Sequence, residues 1–139
     1  MESLENMGFS GLISDEYLEA LDEDLLSAFI ENDLAVRMKE ADLRGDLFRE
    51  QPFIMGVKED GETLLVQGII DAYFIENGEA VLVDYKTDKA KSQDDFRQVY
   101  TPQLKAYKKA IEAALDIRVK EAYIYSLELK EAICLDLND

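Results

Sequence analysis

Gly68-Ile69-Ile70-Asp71-Ala72-Tyr73-Phe74-Ile75-Glu76-Asn77-Gly78-Glu79-Ala80-Val81-Leu82-Val83-Asp84-Tyr85-Lys86-Thr87 reads as two β-strands joined by a tight turn. Both runs are rich in β-branched and aromatic residues, and Asn77-Gly78 between them is a strong hairpin signal. Folding about that turn sets Asp71 beside Asp84. Side chains alternate faces along a strand, so Asp84 and Lys86 point the same way. Two carboxylates and one ammonium are therefore expected at one end of a sheet.

That trio has a specific chemical use. Mg²⁺ is a hard ion that takes oxygen ligands, keeps several waters, and is usually held by one or two carboxylates plus substrate phosphate oxygens. The ion polarises a phosphoryl oxygen and acidifies a bound water. A neighbouring lysine can hold or deprotonate the attacking water, or offset charge growing on the phosphate. A lone Asp-x-Lys is most often a solvated strand end. Here the charges follow Val81-Leu82-Val83, where burying a charge is costly unless it is paired or metal-bound.

A second element sits downstream. Leu104, Tyr107, Ala110, Ile111, Ala114 and Leu115 recur at helical spacing. Gln103 and Tyr107 then share one helix face, offering an amide and a phenol. Read alone, Tyr107 is a core residue, whereas an amide on a partly buried face needs a partner.

The order Gly-Ile-Ile-Asp, apolar strand, Asp-Tyr-Lys-Thr and Gln-x-x-x-Tyr, over about residues 34 to 133, resembles the RecB-type branch of the PD-(D/E)xK nuclease superfamily. Within it, the pattern is most similar to the C-terminal nuclease domain of the AddA subunits of bacterial AddAB helicase–nucleases. The Asp71-to-Asp84 spacing fits, as does the preceding strand Arg49-Glu50-Gln51-Pro52-Phe53. The resemblance implies a restriction-endonuclease-like α/β core, with a central mixed sheet of about five strands flanked by helices and preceded by N-terminal helices. It implies that Asp71, Asp84 and the Tyr85 carbonyl bind Mg²⁺ (or Mn²⁺), that Lys86 is the catalytic lysine, that Gln103 and Tyr107 support the site and the DNA strand, and that Glu50 is an auxiliary acid. It further implies DNA as substrate, a helicase portion in the same polypeptide, an AddB-like second subunit, and a role in double-strand break repair and recombination. Related nucleases carry a histidine on an upstream helix, and this chain has none. The expectation is a fragment beginning after that helix, weak or inactive by itself.

Composition bounds the alternatives. The 139 residues suit one domain, divided here into a helical segment, 1–45, and a nuclease core, 46–139. No run is apolar enough for a transmembrane helix and no secretory signal opens the chain, so a cytoplasmic location without membrane contact is expected. The single cysteine, Cys134, is expected to be a small buried hydrophobe, and it excludes a four-cysteine iron–sulfur cluster. A formal net charge of −16 disfavours independent DNA capture, which relies on Lys and Arg neutralising phosphates. The acid is concentrated between Ser14 and Glu40. No phosphate-binding Gly-rich Lys-Ser/Thr loop occurs, so the chain has no motor of its own.

The remaining elements follow from caps and breakers. Residues 1–11 read as a flexible lead and Ser14 as the cap of a short helix. A second helix is expected around Leu25 to Ile30. A third runs from an Asn32 cap to about Ala41, ended by Gly45. Strands are predicted at about 47–57, 63–75, 80–86, 119–127 and 131–137, with Pro52 marking an edge or bulge. Residues 88–95 read as a loop and 96–115 as the long helix, with Pro102 near its first turns. The competing functional reading is an inactive nuclease-like scaffold or protein-interaction domain. A stand-alone phosphodiesterase for RNA or small substrates is a third.

Overall fold

A computed structural model of the chain describes residues 23–87 and 92–137. The expected lead, the Ser14 cap and its helix lie outside these residues. The described elements are α1 (Glu23–Glu31), α2 (Asp33–Arg44), β1 (Leu47–Glu59), β2 (Glu62–Glu76), β3 (Glu79–Lys86), α3 (Gln93–Leu115), β4 (Val119–Ser126) and β5 (Glu131–Leu135). The strands form one sheet in the order β1-β2-β3-β4-β5. Only β3 and β4 run parallel, with α3 as their crossover; the other neighbours are antiparallel.

Local chemistry sets the boundaries. The Asn32 side chain accepts the Leu34 amide at 2.8 Å and caps α2. Gly45, at φ 80°, closes it in the left-handed region that glycine tolerates. Asn77 and Gly78 both take positive φ, and the β2–β3 ladder reaches its turn at Glu76↔Glu79. Such a turn matches the twist of the strands it joins and fixes their register. Pro52 lies in β1, an edge strand, where a missing amide is tolerated.

Strand β3 is buried on both faces from Ala80 to Tyr85, as a strand with a parallel neighbour and helices on each side must be. On one face, Phe29, Leu34, Met38 and Ala41 of α1 and α2 pack on Phe74, Val81, Val83, Tyr85 and Tyr125. On the other, Phe96, Leu104, Tyr107 and Ile111 of α3 pack on Ile70, Tyr73, Leu82, Ile124 and Ile133. Each fully buried large apolar side chain contributes about 1.5–3 kcal/mol. The N-terminal helices thus share a core with the strands. At the sheet end remote from Asp84, Arg37 of α2 bridges Glu76 of β2 and Glu121 of β4 at 2.7 and 2.8 Å.

Two expectations are corrected. Residues 93–95 are not loop: Ser92 and Asp95 form a reciprocal capping box, so the helix starts at Gln93. Cys134 is exposed, because on the outer strand β5 it alternates with the buried Ile133 and Leu135. No described helix is long and apolar enough to cross a membrane.

Candidate active site

The β2–β3 ladder ends at Ala72↔Val83. One step further along the same register, Asp71 and Asp84 face each other where the strands have stopped pairing. Strand β3 continues against β4 to Lys86↔Ser126. The amide of Tyr85 donates to Asp71 Oδ2 at 2.9 Å, so a carboxylate replaces the missing ladder partner.

Asp84 is only 3% exposed. Burial, reinforced by the Asp71 carboxylate and opposed by Lys86, pushes its carboxyl up to about 7. Lys86 Nζ lies 2.9 Å from Asp84 Oδ2. The ammonium is thus the cation beside that buried oxygen. Lys86 Nζ also donates to Gln103 Oε1 at 3.1 Å, and Gln103 Nε2 donates to the Tyr107 hydroxyl at 2.9 Å. Burial, with help from the Asp84 and Asp71 carboxylates, raises the Tyr107 phenol above its ordinary range.

The expected residues Asp71, Asp84, Lys86, Gln103 and Tyr107 therefore come together, with the Tyr85 backbone between them. Glu50 stands apart. It is exposed on β1 at φ 51°, between the pairs Arg49↔Ala72 and Gln51↔Ile70. Among the described residues no three acidic, histidine or cysteine side chains converge. Two facing carboxylates, one of them buried, suit a hard cation that keeps most of its waters.

Two contributors were given no role from the sequence. The Tyr100 ring lies 4.2 Å from Lys86 Nζ; its spacing of three before Gln103 and seven before Tyr107 was the available signal. Gly68 is the other. A Cβ there would stand 3.0 Å from Phe53 Cε1 and 3.8 Å from Tyr107 Cε1. Glycine lets the Phe53 ring cross β2 and meet Tyr107 edge-on at 5.3 Å.

The sequence model of the PD-(D/E)XK nuclease superfamily matches residues 2–133. The chain belongs to this superfamily. Among similar sequences, an ATP-dependent helicase/nuclease of the AddA type from Syntrophomonas wolfei subsp. wolfei is 37% identical over 132 residues, covering 88% of this chain and 10% of that protein. The protein of the same name from Lachnoclostridium phytofermentans is 30% identical, covering 95% and 13%. The chain thus spans about a tenth of the length of the curated relatives it matches. Among solved structures, the crystal structure of SSO0001 shares the fold, with a TM-score of 0.52 at 15% identity over 91% of this chain and 53% of that one. The five-strand mixed sheet flanked by helices is the restriction-endonuclease-like α/β architecture of the PD-(D/E)XK nucleases.

Proposed function

We propose that this chain is the divalent-metal-dependent DNA exonuclease domain of a larger ATP-dependent helicase–nuclease acting in double-strand break repair and recombination. The observation that carries the reading is the convergence of Asp71, Asp84 and Lys86 where β2 and β3 part, on a superfamily member. Relatives named as helicase/nuclease proteins support the wider context. In this reading the protein works in the cytoplasm, beside an AddB-like second subunit.

Asp71, Asp84 and the Tyr85 carbonyl would hold Mg²⁺, or Mn²⁺ in its place. When bound, the ion supplies Lewis-acid polarisation of a phosphodiester and acidification of a water. The chain's own residues do the rest. Asp71 fixes the Tyr85 backbone through its amide. Asp84 is buried, and a cation beside it offsets the cost of burying its charge. Lys86 orients the attacking water or meets the developing phosphate charge. Gln103 holds the Lys86 ammonium, and Tyr107 holds the Gln103 amide. Glu50, outside the facing pair, keeps the auxiliary role. The strongly acidic chain captures DNA poorly, so the helicase portion delivers the strand.

The test is end-dependent DNA cleavage by the full-length protein carrying Lys86→Ala. Loss of one such group costs about 10²–10⁴ in rate. ATP hydrolysis and unwinding should persist. Undiminished cleavage removes Lys86 from the mechanism and with it this reading.

A further inference from the structure

We infer that Tyr100 is a positioning residue for Lys86: its ring and the Gln103 amide form a two-sided cradle that keeps the ammonium in place when Asp84 turns to a metal ion. The inference rests on the proposed nuclease function and adds a residue that Asp-x-Lys and Gln-x-x-x-Tyr do not contain.

Among the described residues, Lys86 Nζ meets Asp84 Oδ2 at 2.9 Å, Gln103 Oε1 at 3.1 Å and the Tyr100 ring centroid at 4.2 Å. A carboxylate oxygen bound to a cation is a weaker partner for an ammonium, since its charge is shared. The Asp84 contact therefore weakens just when the site is loaded. Gln103 and Tyr100 lie on α3 and do not depend on the carboxylate. An ammonium within about 6 Å of a phenol ring is attracted by its quadrupole, more so when partly desolvated. The lysine side chain is 16% exposed, which satisfies that condition.

The ring is itself fixed. Tyr100 stacks on Phe96 at 6.0 Å with an interplanar angle of 28°, and Phe96 is fully buried in the core beneath α3. Tyr100, Gln103 and Tyr107 sit at helical spacing on α3. The packing of α3 on the sheet thereby sets the position of the ammonium from two directions. A long lysine side chain loses rotamer entropy when it is fixed, so holding it beforehand serves the reaction.

The experiment compares Tyr100→Phe and Tyr100→Leu in the full-length protein, with Lys86→Ala alongside. Tyr100→Phe keeps the ring and should cleave DNA at close to the parental kcat. Tyr100→Leu should lower kcat about 2- to 30-fold with KM nearly unchanged. A second readout needs neither metal nor activity. In the metal-free protein, the Lys86 ε-methylene resonances should carry a ring-current shift that survives Tyr100→Phe and vanishes in Tyr100→Leu. Equal kcat in Tyr100→Leu and parent, or equal losses in the two variants, overturns the inference, as does a Lys86 shift indifferent to the ring. Full cleavage by Lys86→Ala instead overturns the nuclease assignment of Lys86, so the two failures are distinguishable.

Discussion

The amide of Tyr85 donates to Asp71 Oδ2 at 2.9 Å, across the gap where β2 and β3 cease to pair. One carboxylate thus completes the backbone of the neighbouring strand at the residue between Asp84 and Lys86. Truncating it exposes an unsatisfied amide and frees that backbone. Asp71→Ala should cost about 1–3 kcal/mol of stability in the metal-free protein and also abolish cleavage. Asp71→Asn keeps an acceptor and should recover much of the stability without the activity. Denaturant melts of the two variants, set beside a nuclease assay, separate the roles.

Asp84 predicts an unusual pH dependence. Its carboxyl is pushed up to about 7, first by burial and then by Asp71. The unfolded chain releases this proton near the ordinary aspartate value, about 4. Between those values the native state holds more protons than the unfolded one, so this group lowers stability as pH rises from about 4 to 7. Asp84→Asn has no such group, and its melting temperature should overtake the parent's across that interval. Thermal melts from pH 4.5 to 8 without metal measure it. Adding Mn²⁺ should raise the parent's melting temperature and leave that of Asp84→Asn unmoved.

The remote end of the sheet behaves oppositely. Arg37 holds the Glu76 carboxyl down to about 2 and lowers Glu121 as well. Lowered acids stabilise above their unfolded values, and the contribution is lost as pH falls from about 4.5 towards 2. Allowing for solvent screening, the network is worth roughly 1–2 kcal/mol at neutral pH. Arg37→Met should remove it, since among the described residues Lys120 is then the cation left to Glu76 and Glu121. The difference in stability between parent and variant should shrink in acid, by urea unfolding at pH 3 and pH 7.

These contrasts show which parts of the molecule sequence could reach. Asn77-Gly78 fixed the register of Asp71 against Asp84, because a two-residue turn leaves no slack. Alternation then put Lys86 with Asp84, and helical spacing brought Gln103 and Tyr107 to the same place. Information missing from any single segment stayed hidden. Tyr100 carried no reading in the sequence, because only the path of α3 sets its ring beside Lys86. The start of α3 was obscured because Ser92 and Asp95 also suit a polar loop. Cys134 was misjudged because its face depends on β5 being the outer strand, which a local run cannot reveal.

Gly68 gives a prediction of this kind. Gly68→Ala presses a methyl against Phe53, which is wedged edge-on against Tyr107. Overpacking of this sort costs about 1–3 kcal/mol. The displacement should pass through Tyr107 to Gln103 and lower cleavage more than stability alone explains. Pairing it with Phe53→Leu, which makes room, should restore both. Activity measured well below the melting temperature of each variant tests the coupling.

Gln103 and Tyr107 should differ in weight. Gln103 Oε1 accepts from the Lys86 ammonium, while Nε2 donates to the Tyr107 hydroxyl. A hydrogen bond to a charged group is worth about 1.5–3 kcal/mol. Gln103→Leu should therefore lower cleavage about 10- to 150-fold with the fold intact. Tyr107→Phe keeps the ring against Phe53 and loses only the acceptor that turns the Gln103 amide, so its loss should be several times smaller. Gln103→Glu keeps an oxygen for Lys86 but adds a third acid to an already acidic pair. It should cleave less well than Tyr107→Phe and respond to pH more steeply than the parent. Single-turnover cleavage rates across pH 6 to 9 order the three variants, and a Tyr107→Phe loss as deep as that of Gln103→Leu would mean the phenol acts on the substrate directly rather than through the amide.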